Sequence, residues 1–273
     1  MIKDLSVVIC NRNSLPFLKK SIPFYKQCNA KELIVIDGES NDGSIEFLKK
    51  QKINFFSDYG KGLSYSRQLG IKKSTCNFIF MAGPDDICDR LFFEKLDLKF
   101  INSKYDAATI LLKISPVKTY WDQCLNLWFK YIRKAGETSV IGTPTIFKRE
   151  VFDRINYNLN TQGCDDTDIS EQLKKNNYKI GIIDIYCNQT NENKLSDIKK
   201  KFKLYGKSDA NFYKFKNKKF NLLDLLLTYN HPLKHLIKFT FFIIFKRKPK
   251  ILLFPFIITY YRYMGLIKQI VFN

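Results

Sequence analysis

Leu33-Ile34-Val35-Ile36-Asp37-Gly38-Glu39-Ser40-Asn41-Asp42-Gly43-Ser44 decides how this chain is read. Four consecutive apolar residues, three of them β-branched, suit a strand buried on both faces. The strand ends on a carboxylate, and a turn rich in Gly and Asx residues leads into a helix pattern from Ser44 to Gln51. The same unit recurs on either side. Strand patterns cover Leu5 to Cys10, Asn54 to Ser57 and Asn77 to Met81, and helix patterns cover Leu15 to Gln27, with Pro16 in the first turn, and Tyr65 to Lys73. Short buried strands alternating with helices predict an α/β fold with a mostly parallel sheet flanked by helices. Beyond Asp86 weaker signals place strands over 106–114, 145–147 and 179–185, and helices over 120–134 and 168–176.

Charge narrows the function. The chain has 273 residues, with 46 Lys and Arg against 26 Asp and Glu, a net charge of +20. Such a balance implies an anionic partner: nucleic acid, an acidic membrane surface or a phosphorylated substrate. Against that background three acidic clusters stand where strands should end: Asp37, Asp85-Asp86, and Asp165-Asp166-Thr167-Asp168. Open α/β sheets bind ligands at the carboxyl ends of their strands, and grouped Asp side chains are hard oxygen ligands for a divalent cation. A dinucleotide-binding oxidoreductase is excluded, because Cys10-Asn11-Arg12-Asn13 follows the first strand where G-x-G-x-x-G is required. A nucleic-acid-binding protein accounts for the charge and leaves the carboxylates unexplained; a catalytically inactive membrane-bound scaffold is a third reading. Seven Cys without a C-x-x-C pair fit a reducing compartment, and no signal peptide is expected ahead of a strand that starts at Leu5.

Taken together, these segments resemble family 2 glycosyltransferases of the GT-A fold, over about residues 4–190. The resemblance implies that Asp37 reads the base of a nucleotide sugar, with Glu39 beside it. Asp58-Tyr59-Gly60-Lys61-Gly62 and Ser66-Arg67-Gln68-Leu69-Gly70 are similar to the third nucleotide-binding segment, in which Lys61 and Arg67 offset phosphate charge. Gly83-Pro84-Asp85-Asp86 stands in the place of the DxD motif: Asp85 is expected to hold Mn²⁺ or Mg²⁺ and Asp86 to contact the donor, while Gly83 replaces the first acid. Gly163-Cys164-Asp165-Asp166-Thr167-Asp168 looks like the acidic motif that supplies the general base. By that match the base is Asp166, with Asp165 in place of the usual Glu and Asp168 as secondary candidates. Asn188 is the nearest match to a metal-binding His of many relatives. The implied activity is inverting, metal-dependent transfer of a hexosyl or related group. The sugar moves from a nucleotide sugar, a UDP-sugar favoured, to a glycan or lipid-linked acceptor in cell-envelope polysaccharide or glycolipid synthesis.

From about Lys194 the composition changes. Lysines interleaved with Phe and Tyr give way to apolar runs at 222–227, 233–245 and 251–261, with Lys246-Arg247-Lys248-Pro249-Lys250 between the last two. None reaches the roughly 20 apolar residues of a membrane span, and apolar helices edged with cations suit a membrane interface. The expected organisation is a GT-A domain over 1–215 and a helical, membrane-associating tail over 216–273. The protein is then expected to be cytoplasmic and peripheral on the inner face of the cell membrane, with no nucleic-acid partner.

Overall fold

The structure is a computed structural model that describes residues 4–28, 30–159, 163–189, 193–216 and 231–271; the expected apolar run 222–227 lies outside them. In chain order the elements are β1 (Leu5–Asn11), α1 (Leu15–Gln27), β2 (Glu32–Asp37), α2 (Ser44–Lys50), β3 (Asn54–Ser57), α3 (Leu63–Lys73) and β4 (Phe78–Ala82). There follow β5 (Asp86–Ile87), α4 (Arg90–Ile101), β6 (Ala107–Ile114), α5 (Tyr120–Ile132), β7 (Gly136–Glu137), β8 (Thr145–Lys148), α6 (Asp165–Lys175) and β9 (Ile180–Gln189). The C-terminal helices are α7 (Leu195–Lys216), α8 (His231–Phe245) and α9 (Leu253–Val271).

The chain divides into two compact units, one made of 1–115, 133–159 and 165–190, the other of 116–132, 160–164 and 191–273. The first holds the sheet, in the order β3-β2-β1-β4-β8-β6-β9-β5, with β7 on β9. β3, β2, β1 and β4 run parallel in register, Cys10 against Ile36 and Ile9 against Ala82, as the strand-helix alternation requires. β8 turns antiparallel to both β4 and β6. The core is built where apolar strand residues such as Val8, Ile36, Ile79 and Phe147 meet helix residues such as Ile71, Ile169 and Leu173. Helix α3 lies so close to the sheet that a Cβ on Gly70 would sit 2.3 Å from Val8 Cγ1.

Parallel strands leave all their carboxyl ends on one edge, so the turns after β1, β2, β3 and β4 gather there. Asp42 braces that edge. Its Oδ2 accepts from Leu15 N (2.8 Å) at the start of α1, and its Oδ1 from Ser44 N (3.1 Å) and Ser44 Oγ (2.6 Å) at the start of α2. Between them Gly43 has φ 87°, a conformation that favours glycine.

The second unit is helical. Trp128 of α5 packs edge-on to Phe202 of α7 and Phe239 of α8, with ring centroids 5.8 and 5.1 Å apart. Helices α7 and α9 touch backbone to backbone: a Cβ on Gly206 would lie 1.9 Å from Arg262 O, and one on Gly265 2.0 Å from Lys203 O. Beside this crossing Arg262 forks onto Asp209 with two bonds of 2.7 and 3.0 Å. These contacts group α5 and α7 with the last two helices, so the compact units do not coincide with an expected division at 215/216. Gly206→Ala and Gly265→Ala should each cost about 1–3 kcal/mol of stability, since a methyl must force the backbones apart. In denaturant unfolding, Leu204→Ala on the exposed face of α7 should change stability by less than about 0.5 kcal/mol.

Candidate active site

At the end of β2 the Asp37 carboxylate is buried to 1 % exposure and held on three sides. Its Oδ1 accepts from Ser40 N (2.8 Å), and its Oδ2 from Ser40 Oγ (2.8 Å) and Asn11 Nδ2 (2.7 Å). A carboxylate oxygen accepts two hydrogen bonds, so Oδ1 keeps capacity for one further donor. Glu39, with φ 58°, lies exposed on the same turn and accepts from Ser57 Oγ at the end of β3. Sequence reasoning missed Asn11; its signal was a polar residue closing an otherwise apolar strand.

The turn after β4 folds back on itself. Asp86 Oδ2 accepts from Gly83 N (2.8 Å) and Asp86 Oδ1 from Gln189 Nε2 of β9 (2.9 Å). Burial, with the Asp85 charge adding to it, pushes the Asp86 carboxyl up to about 7. Asp86 therefore braces the turn from inside, and Asp85, half-buried, is the carboxylate nearer solvent. A Cβ on Gly83 would stand 2.8 Å from Asp85 Oδ1 and 3.3 Å from Asp86 Oδ2. The two aspartates take up the room that an acid at position 83 would need.

Among the described residues no group of three His, Cys, Asp or Glu converges on a point. The donor set still fits a hard divalent ion that draws most of its ligands from phosphate and water. Asp85 offers one carboxylate. On the strand paired with β5, Asn188 carries a buried Oδ1 with no hydrogen-bond partner.

The third cluster is the most tightly built. Asp165 and Asp166 open α6, and Arg67 Nη1 from the middle of α3 lies 2.5 Å from a carboxylate oxygen of each. Arg67 Nη2 donates to Thr143 Oγ1 (2.6 Å), and the guanidinium stacks 5.6 Å from the Tyr157 ring centre. Burial works against the Arg67 cation, yet the Asp166 and Asp165 carboxylates outweigh it and hold its pKa well above the ordinary value. Burial also raises the Asp165 carboxyl against the pull of Arg67. The two acids differ in access: the Asp165 side chain is 4 % exposed, that of Asp166 41 %. Asp168 is buried and accepts from Gln172 Nε2 (2.7 Å). Asp166 is thus the carboxylate of this motif able to meet an external hydroxyl.

Arg67 is where structure and expectation part. Its side chain is only 7 % exposed and committed to the acids, whereas Lys61 is exposed, its ammonium 4.7 Å from the Tyr65 ring centre. Thr143 and Gln189, which hold Arg67 and Asp86, carried no signal in the sequence, because each acts across a long stretch of chain.

In fold, the chain is similar to the mannosyltransferase PcManGT from Pyrobaculum calidifontis in complex with GDP-Man and Mn²⁺. The identity is 13 %, the match covers 99 % of this chain and 88 % of that one, and the TM-score is 0.64. It is also similar to S. aureus TarS in complex with UDP-GlcNAc (13 %, 97 % and 89 %, TM-score 0.52). A third likeness is to GalNAc-T7 with UDP, GalNAc and Mn²⁺ (13 %, 77 % and 51 %, TM-score 0.56). These likenesses show the GT-A fold. No curated protein matches the sequence significantly. The model of glycosyl transferase family 2 matches residues 6–156, more than half of the 273, and the chain belongs to that family.

Proposed function

We propose that this glycosyltransferase transfers a hexosyl or related group, with inversion, from a nucleotide sugar to a hydroxyl of a glycan or lipid-linked acceptor. A UDP-sugar is the favoured donor, and cell-envelope polysaccharide or glycolipid synthesis the setting. The observation that carries the reading is Asp166: a solvent-reaching carboxylate, fixed by a buried arginine. The nucleotide sugars bound by PcManGT and TarS support the donor class.

Each residue has a physical task. Asp37 Oδ1 accepts from an N–H of the base, with Glu39 on the same turn. Lys61 offsets diphosphate charge. Asp86 shapes the turn that presents Asp85. A Mn²⁺ or Mg²⁺ ion held by Asp85, with Asn188 as a further oxygen, would neutralise charge on the leaving diphosphate. Asp166 accepts the proton of the acceptor hydroxyl as the oxygen bonds to the anomeric carbon and the bond to the diphosphate breaks. Attack from the face opposite the leaving group inverts the anomeric centre. Arg67 keeps Asp166 aimed, and Asp165 holds the same guanidinium nitrogen in place. Catalysis belongs to about residues 1–215 and membrane contact to 216–273, with the protein cytoplasmic and peripheral on the inner membrane face.

Four measurements test this. In calorimetry with UDP, GDP and dTDP in the presence of Mn²⁺, one nucleotide should bind, and Asp37→Ala should weaken it at least about tenfold, the cost of a charge-assisted bond. Binding of none of the three would end the donor assignment. Asp166→Asn should lose about 10²–10⁴ in kcat and keep donor affinity; near-normal turnover would place the base elsewhere, and a retained anomeric configuration would exclude single displacement. Arg67→Met should lower stability by about 3–5 kcal/mol in denaturant unfolding, because it leaves two facing carboxylates without their cation.

A further inference from the structure

Helices α8 and α9 each bury one face and expose the other. On α9 the exposed residues are Leu253, Phe256, Tyr260, Met264, Ile267 and Val271, at spacings of three and four that keep them on one side. On α8 Ile237, Phe241, Ile244 and Phe245 do the same, Phe241 at 68 % and Phe245 at 79 % exposure, while Phe239 and Ile243 face inward. Apolar faces of this length are foreign to the surface of a soluble monomer. Charge says what covers them. Residues 231–273 contain no Asp or Glu, and Lys246, Arg247, Lys248 and Lys250 stand exposed where one helix gives way to the next.

Among the described residues, Pro249–Val271 is the one stretch long and apolar enough to cross a membrane, yet 39 % of its apolar window is buried. Its inner face is tied to α7 through Gly265 and the Arg262–Asp209 pair. Helix α7 carries Lys199, Lys200, Lys201, Lys203, Lys207 and Lys214. A spanning α9 would drag that ion pair and those lysines into hydrocarbon.

We propose that α8 and α9 lie in the plane of an anionic leaflet, their exposed apolar faces in the acyl boundary and the 246–250 turn on the headgroups, with neither helix spanning the bilayer. This rests on the peripheral membrane contact given above and names its residues and mode. The test is flotation of the full chain with phosphatidylcholine vesicles, with or without about one-third phosphatidylglycerol. The protein should float with the anionic vesicles at low salt, float poorly with the neutral ones, and be released by alkaline carbonate. Phe241→Glu with Phe245→Glu, and separately Phe256→Glu with Met264→Glu, should weaken partitioning at least about tenfold while leaving the thermal unfolding midpoint in place, since these side chains face outward. Lys246→Glu with Arg247→Glu and Lys248→Glu should abolish the preference for anionic lipid.

Resistance to carbonate extraction would overturn the in-plane mode alone, and absence of binding to both vesicles would overturn the membrane contact itself. Unchanged partitioning of the variants would also overturn the proposal, as would a dimer, by light scattering, that the apolar variants disperse. Flotation is read without turnover, so these failures are separate from a failure of sugar transfer.

Discussion

The candidate site depends on one buried cation held between two carboxylates. Arg67 is separated by about a hundred residues from Asp165 and Asp166, and its ion pairs close that span. A guanidinium so far out of water needs partners for its charge and its donors, and Asp165, Asp166 and Thr143 supply them for both terminal nitrogens. The consequence is positional. Helix α3 is already fixed against β1 by Gly70, so wherever Arg67 sits, the start of α6 must follow. A carboxylate on a helix terminus would otherwise be free to choose its rotamer; here its partner chooses for it.

The same economy explains the turn after β4. Replacing the first acid of the expected metal motif by Gly83 looks, in the sequence, like a loss. In the structure Asp86 folds back onto the Gly83 amide, and the space beside it is filled by the carboxylates of the next two residues. A negatively charged side chain at 83 would have to displace both. One inward carboxylate that braces and one outward carboxylate nearer solvent is a different division of work from two outward acids.

From Leu5 to Met81 the order of elements was legible, because parallel strands buried on both faces leave uninterrupted apolar runs and their helices fill the gaps. Beyond it β6, α5, β8, α6 and β9 stand close to where the weaker signals placed them, and the shortest strands were not legible. Strands β5 and β7 are two residues long, too short for any periodicity, and exist only because β9 is there to pair with. Helix α4 did leave a trace, Asp89 accepting from Phe92 N at 2.7 Å ahead of Phe92, Leu96 and Phe100 on one face. Of the candidate site, the sequence carried the identity of the acids and not their partners. Thr143 and Gln189 act through chain crossings that no local pattern encodes. Arg67 was recognised as important for a reason its burial does not support.

The basic balance of the chain and its acidic site are compatible because they are separated along the sequence. The last Asp or Glu is Asp224, while cations continue to Lys268. Clustered cations suit an anionic partner, and grouped carboxylates suit a cation. The two requirements pull the sequence toward opposite compositions, and the chain meets both by assigning them to different stretches.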